Sequence, residues 1–278
     1  MDKRKYPPRN ASRPDRPFTP RPKDDARDRR PRPHRPLKGD SGPELLFGTH
    51  TAEAVLANPR RKIRRILVTR NAAERLAEAL AARPDPAPEV VAPQDLDRLT
   101  GPDAVHQGIV ILADPLPQPR LDQVPRDAII VLLDQVTDPH NVGAILRSCA
   151  AFAVTALVAT ARHSPEGSAV LSKSASGATE VVPFVKVTNL ARAMEELKEY
   201  GYTIVGLDSE APETIAEAAA RPRTGPLALV LGAEGKGLRQ LTRETCDVLA
   251  RLDLPGAIQS LNVSNAAAVA LYALTRKP

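Results

Sequence analysis

Cysteine, internal repetition and long apolar runs are what this chain has least of. Its 278 residues include two cysteines, too few for a disulfide-stapled scaffold, and neither has a second ligand at metal-binding spacing, so no metal site is expected. Cys149 and Cys246 both sit in apolar segments, where a small buried thiol packs as a hydrophobe. No stretch of about 18 apolar residues occurs, so no segment is expected to cross a bilayer as a helix. No repeat is visible, and no G-x-G-x-x-G follows a candidate strand. The one glycine cluster, GAEGKG, is not a P-loop: only two residues separate Gly232 from Gly235, and Gly237 stands where a magnesium-binding Ser or Thr would be needed.

What is present is an apolar content of 42% and a length that points to more than one folded unit. Net charge is +6, unevenly placed: through Lys38, 14 Lys and Arg face 5 Asp, whereas the rest holds 25 basic against 28 acidic residues. The basic character therefore belongs to residues 1–43, a tail with a proline every few residues and almost no aliphatic side chains. Such a segment buries too little apolar surface to offset its ordering entropy and is expected to be disordered. An Arg- and Pro-rich arm suits a polyanion, because each phosphate it neutralises releases counterions. A purely solubilising tail is the other reading. It lacks the apolar stretch of a secretory signal, and its aspartates and prolines spoil a basic amphipathic presequence, so the cytoplasm is the expected location.

Residues 44–113 read as a small mixed α/β domain. THTAEAVLAN predicts a helix, IRRILVTR a strand, NAAERLAEALAA a second helix with Asn71 as its N-cap, and GIVILA a closing strand. Residues 114–127 are proline-rich and aperiodic, as a hinge or spacer would be. From residue 128 to 278 the pattern becomes α/β: IIVLLD, VTALVAT, YTIVGLD, LALVLG and DVLARLDL are short apolar runs without strict alternation, as strands covered on both faces should be. Between them Val142, Ile145, Leu146 and Cys149 share one helical stripe, and Leu190, Met194 and Leu197 share another. A mostly parallel sheet follows.

In such sheets ligands bind beyond the carboxyl ends of the strands. Four polar clusters stand there: DQVTDPHN, GLDSE, GAEGKGL and LPGAIQSLNVSN. The glycines of GAEGKG let backbone approach a ligand closely, or equally make a tight turn. Ser260, Asn262, Ser264 and Asn265 crowd the start of the last helix, more polar residues than one cap requires. Pro139, His140 and Asn141 turn the chain out of its strand, with Asn141 as N-cap and His140 shaping the turn. Arg147 falls on the helix face opposite the apolar stripe, where an arginine is solvated unless a ligand meets it.

Taken together, DPHNVGAILRSC, LALVLGAEGKGL and SLNVSNAAAVALY resemble, in this order, the three signature motifs of the SpoU (TrmH) branch of the SPOUT methyltransferases. FGTHTAEAVL and HQGIVILA are similar to the ends of the L30e-like RNA-binding module that accompanies this catalytic domain in 23S ribosomal RNA (guanosine-2′-O-) methyltransferases. The resemblance implies a SPOUT fold with a deep C-terminal trefoil knot, a homodimer, and S-adenosylmethionine held in a cleft of knotted loops. By position it places Gly232, Leu252, Leu261 and Leu207 at the cofactor, and Asn141, Arg147, Glu234, Ser260 and Asn262 at the reaction centre with ribosomal RNA as substrate. The resemblance gives Arg147 the central role, as the base that takes the proton; since a guanidinium offers no acceptor, the other reading is that Arg147 holds the target phosphate and polarises the hydroxyl, while Asn141 and Glu234 orient it and Ser260 or Asn262 shapes the pocket. One departure stands out, because the family's usual Ile-Pro-Met-x-Gly is here Leu252-Asp253-Leu254-Pro255-Gly256, which keeps the glycine and moves the proline. Transfer RNA ribose methylation and a non-catalytic RNA-binding role are the alternative readings.

Overall fold

The computed structural model describes residues 42–101, 104–126, 129–163, 175–222, 224–258 and 260–276. The basic tail lies outside the described residues. The amino-terminal portion is built on four strands, β1 (Glu44–Phe47), β2 (Ile63–Val68), β3 (Pro88–Val90) and β4 (Ile109–Ala113), in the order β1-β4-β2-β3. β4 runs antiparallel to both β1 and β2, and β3 joins β2 in parallel. Helices α1 (Thr49–Ala57), α2 (Arg70–Arg75) and α3 (Ala77–Ala82) cover one face over Leu46, Ile66, Ile109 and Ile111, while α4 (Pro93–Thr100) covers the other through Leu96 against Phe47, Leu67 and Val110.

Several details differ from the sequence reading. The second helix is capped by Thr69, not Asn71: Thr69 has extended backbone, and its Oγ1 accepts from the Ala72 amide at 3.4 Å. It also breaks at Leu76 into α2 and α3. β3 and α4 were not anticipated, because β3 is an edge strand of three exposed residues and α4 buries only Leu96. Neither has the periodicity that marks an element lying on a core.

The proline-rich connector is not a free spacer. A 3-10 turn at Leu121–Gln123 and the following Val124 bury two apolar side chains, which pack with Ile130 and Leu132 of the next sheet.

That sheet has seven strands: β5 (Ile130–Asp134), β6 (Ala156–Thr160), β7 (Phe184–Val187), β8 (Thr203–Leu207), β9 (Glu213–Thr214), β10 (Leu227–Gly232) and β11 (Val248–Arg251). Every registered pair is parallel, in the order β7-β6-β5-β10-β8-β11-β9. Its helices are α5 (Pro139–Ala151), α6 (Leu190–Glu199), α7 (Ile215–Ala220), α8 (Gln240–Thr245) and α9 (Val263–Thr275). Both faces are covered, which explains the lack of alternation. Val131, Leu133, Leu229 and Leu231 pack under α5 and α9, and Leu132, Val158, Ala228 and Val230 pack under α6. The α5 stripe of Val142, Ile145, Leu146 and Cys149 is completely buried, worth about 1.5–3 kcal/mol for each large aliphatic side chain. β7 and β9 escaped the sequence reading because one is a short edge strand beginning with a half-buried Phe184 and the other has two residues.

The strand order positions the site. β5, β6 and β7 spread toward one edge and β8 returns on the far side of β5, so β10 later enters between β5 and β8. This pairs Gly232 with Asp134 and sets Leu207 beside Ala250 at the same carboxyl rim. Loops distant in sequence become neighbours there.

Candidate active site

At the end of β10 the chain folds back on itself. Gly237 donates its amide to the Ala233 carbonyl at 2.8 Å, with Gly235 and Gly237 at positive φ of 74° and 63°. A Cβ on Gly232 would lie 2.2 Å from the carbonyl carbon of Gly237, so only glycine permits this approach. The loop's far end is anchored on the buried Asp134, whose carboxylate accepts from Arg239 N at 2.9 Å and Arg239 Nε at 2.6 Å.

The folded loop carries Glu234 outward to the first turns of two helices. Glu234 Oε1 accepts from Asn141 Nδ2 at 3.1 Å, from Asn262 Nδ2 at 2.6 Å and from the Val263 amide at 3.3 Å. Asn262 Nδ2 also donates to Asn141 Oδ1 at 2.9 Å. One residue from each of the three motifs thus meets in a closed triangle. A carboxylate there also faces the partial positive charge at the start of α9.

The caps explain why these side chains are available. Asp138, not Asn141, caps α5: Pro139 occupies the first helical position, and Asp138 Oδ1 accepts from the His140 amide at 3.0 Å. Asn141 already lies inside the helix, so its side chain is free to reach Glu234. Asn262 does cap its helix, accepting from Ser264 N at 2.9 Å and Ser264 Oγ at 2.6 Å, while its amide nitrogen serves the triangle.

Beside the triangle opens a cavity of about 940 Å³ lined by Leu207, Gly232, Leu252 and Leu261 together with Glu234, Ser260 and Asn262. All four residues placed at the cofactor by motif position therefore face one space, Leu252 included despite the altered loop around it. Arg147 is not among the lining residues. It is exposed on α5, six residues beyond Asn141, and pairs with no carboxylate among the described residues.

Asp208, Arg251 and Leu254 also line the cavity and were not singled out. Asp208 is buried and paired with Arg243 at 3.1 Å, and Arg251 Nη1 donates to the carbonyls of Ala211 and Pro212. The available signal was a carboxylate ending an apolar run, as in GLD and LLD.

The thiols take no part. Burial pushes both Cys149 and Cys246 up to about 12, and Cys246, only partly buried, donates its Sγ–H to the Thr242 carbonyl. Among the described residues no group of three or more His, Cys, Asp or Glu is placed to hold a metal ion, and no helix is long and apolar enough to cross a membrane.

Comparison with known proteins identifies the family. Residues 128–272 match the SpoU rRNA Methylase family, and residues 45–119 match the family described as RNA 2′-O ribose methyltransferase substrate binding. The 23S rRNA (guanosine-2′-O-)-methyltransferase RlmB of Pseudomonas putida is 36% identical over 84% of this chain and 96% of its own length. Its namesake in Vibrio parahaemolyticus is 40% identical over 84% and 97%. Among solved structures, the SpoU methyltransferase AviRb from Streptomyces viridochromogenes, in complex with AdoMet, superposes with a TM-score of 0.70 at 24% identity, covering 84% of this chain and 89% of that one. At that identity the likeness establishes the fold.

Proposed function

The chain belongs to the SpoU rRNA methylase family, and from that premise we propose that it methylates the ribose 2′-hydroxyl of a guanosine in 23S ribosomal RNA, with S-adenosylmethionine as donor. The observation that carries this reading is the Asn141–Glu234–Asn262 triangle, which joins the first motif to a cavity lined by the second and third. Residues 44–113 bind RNA, residues 114–127 connect, and residues 128–278 catalyse, in the cytoplasm.

The cavity suits the donor. Leu207, Leu252 and Leu261 offer apolar walls for an adenine, and the absent side chain at Gly232 leaves room for ligand against backbone. When bound, S-adenosylmethionine supplies an electrophilic methyl carbon on a sulfonium. The chain must then hold the ribose oxygen in line and help its proton leave. Arg147, whose guanidinium offers a planar fork of donors and no acceptor, holds the adjacent phosphate and polarises the hydroxyl. Glu234 and Asn141 orient the hydroxyl, and Ser260 and Asn262 shape the pocket's edge.

A homodimer belongs to the same reading. Arg147 stands outside its own chain's cavity, and α9 exposes Val269 and Tyr272, both of which a second copy accounts for. So does a C-terminal trefoil knot, supported by the late entry of β10 between β5 and β8 and the return of α9 onto α5.

The experiment is methylation of a 23S transcript with labelled donor, followed by nucleotide-resolution mapping. Arg147→Ala should abolish incorporation while calorimetry still detects donor binding. Unchanged incorporation would remove Arg147 from the reaction centre.

A further inference from the structure

A second cavity, of about 370 Å³, lies where the four-stranded portion meets the seven-stranded sheet; of the motif residues only the buried Leu146 borders it, and the proposed reaction does not use it. Its walls are the Arg60–Arg61 turn on one side, Leu116 and Pro117 of the connector, and Phe184 and Lys186 of edge strand β7 on the other. The walls are clamped together. Arg61 is 3% exposed and sends Nη2 to Glu180 Oε1 at 2.5 Å, Nε to Glu180 Oε2 at 3.1 Å, and Nη1 to Glu44 Oε2 and the Asp114 carbonyl, both at 2.7 Å. Asn58 Nδ2 adds a bond to Glu180 Oε2 at 2.9 Å.

These bonds satisfy Arg61 and leave it nothing for a ligand. Arg60 and Lys186 are different: among the described residues neither has a carboxylate partner. The slot therefore offers a half-buried aromatic ring, proline and leucine surface, and two cations without carboxylate partners, while the Glu44 carboxylate on its wall is held by Arg61. That combination matches a nucleobase with its phosphate, since single-stranded RNA is held by stacking on aromatic and apolar faces while cations take the backbone. The volume lies near the lower end of the about 300–1,000 Å³ usual for small-ligand sites, room for one nucleotide rather than a helix.

We propose that this junction cavity takes one unpaired nucleotide of the RNA substrate, its base against Phe184 and Pro117 and its phosphate between Arg60 and Lys186. The inference rests on the reading of RNA as substrate. It gives the clamp a role as well: a fixed slot between the two portions sets the register of the RNA relative to the catalytic cavity.

The test uses the full chain, a 23S transcript fragment and three proteins: wild type, Arg60→Ala/Lys186→Ala and Phe184→Leu. The double substitution is at the surface of the slot and leaves the clamp intact. We expect it to raise the RNA Kd and KM about tenfold and to flatten the single-strand salt slope by about 0.7, the value for one phosphate no longer neutralised, with donor affinity unchanged. Phe184→Leu should raise KM without changing that slope. Photo-crosslinks from 4-thiouridine in the bound RNA should map to peptides containing Pro117 or Phe184. Unchanged RNA Kd and salt slope in the double variant overturn the proposal, and so does free guanosine monophosphate binding that the double variant loses while RNA binding is unaffected. If wild type binds RNA through the slot but transfers no methyl group, the slot stands and the reaction assigned above falls. Methylation with a double variant indistinguishable from wild type has the opposite meaning.

Discussion

Asn141 and Glu234, 93 residues apart in the chain, are joined by a 3.1 Å hydrogen bond from Nδ2 to Oε1. The bond exists because β10 inserts beside β5 and because Asp138 has already capped α5, which leaves the Asn141 amide unengaged by its own helix.

Asn141→Ala and Asn262→Ala should therefore separate. Each removes two of the triangle's three sides, and each should lower kcat about tenfold or more through lost orientation of the reacting hydroxyl. Only Asn262→Ala also removes a helix cap, costing about 1 kcal/mol. Kinetics paired with denaturant unfolding checks this, and a stability loss from Asn141→Ala equal to that from Asn262→Ala would contradict the cap assignment.

Gly232→Ala places a methyl group 2.2 Å from the Gly237 carbonyl carbon, with backbone rather than a flexible side chain in the way. The loop must open, so donor affinity should fall by about tenfold or more and stability by about 1–3 kcal/mol. Calorimetry with S-adenosylmethionine provides the measurement. Native affinity in this variant would mean that the loop is not a wall of the donor site.

Arg61→Ala leaves the carboxylate of Glu180, 1% exposed, without its main partner. Burial pulls the Arg61 guanidinium's pKa down, but the bonds and charges of Glu180 and then Glu44 more than reverse this, and the group stays above its ordinary value. Breaking such a pair costs about 3–5 kcal/mol, whereas an exposed, solvent-screened pair such as Arg65–Glu89 contributes little. Thermal melts of Arg61→Ala and Arg65→Ala make the comparison, and equal shifts would argue against the clamp.

Cys149 and Cys246 are both raised by burial from an ordinary 9.0 to about 12. At pH 8 both should resist alkylation until the chain unfolds, read by mass spectrometry. The sign of the linkage follows. Unfolded thiols lose protons above about 9 while the folded ones keep them, so stability is full below about 9 and declines as pH rises toward 12. Rapid native labelling of Cys149 would show that its helix opens easily.

Local periodicity was enough to place the buried stripes of α5 and α6, because a helix that packs on a sheet repeats its apolar residues every turn whatever lies beyond it. Val142, Ile145, Leu146, Leu190, Met194 and Leu197 are all buried. Caps were harder to read. Asn71 and Asn141 are good capping residues, but Thr69 and Asp138 precede them with the extended backbone a cap needs. Short edge strands such as β3, β7 and β9 carry too few buried positions to announce themselves.

The amino-acid sequence by itself determined which chemical groups the chain holds in reserve: three polar motifs, each at the end of an apolar run, and a glycine cluster suited to close approach. The tertiary structure alone decided who meets whom. Insertion of β10 between β5 and β8 is a non-local pairing, and no local propensity specifies it. That pairing brings Asn141, Glu234 and Asn262 into contact, gathers Leu207, Gly232, Leu252 and Leu261 on one cavity, and leaves Arg147 on a separate face of its helix. The Arg61–Glu180 clamp has the same origin, since two charges 119 residues apart can be buried together only where packing has already excluded water.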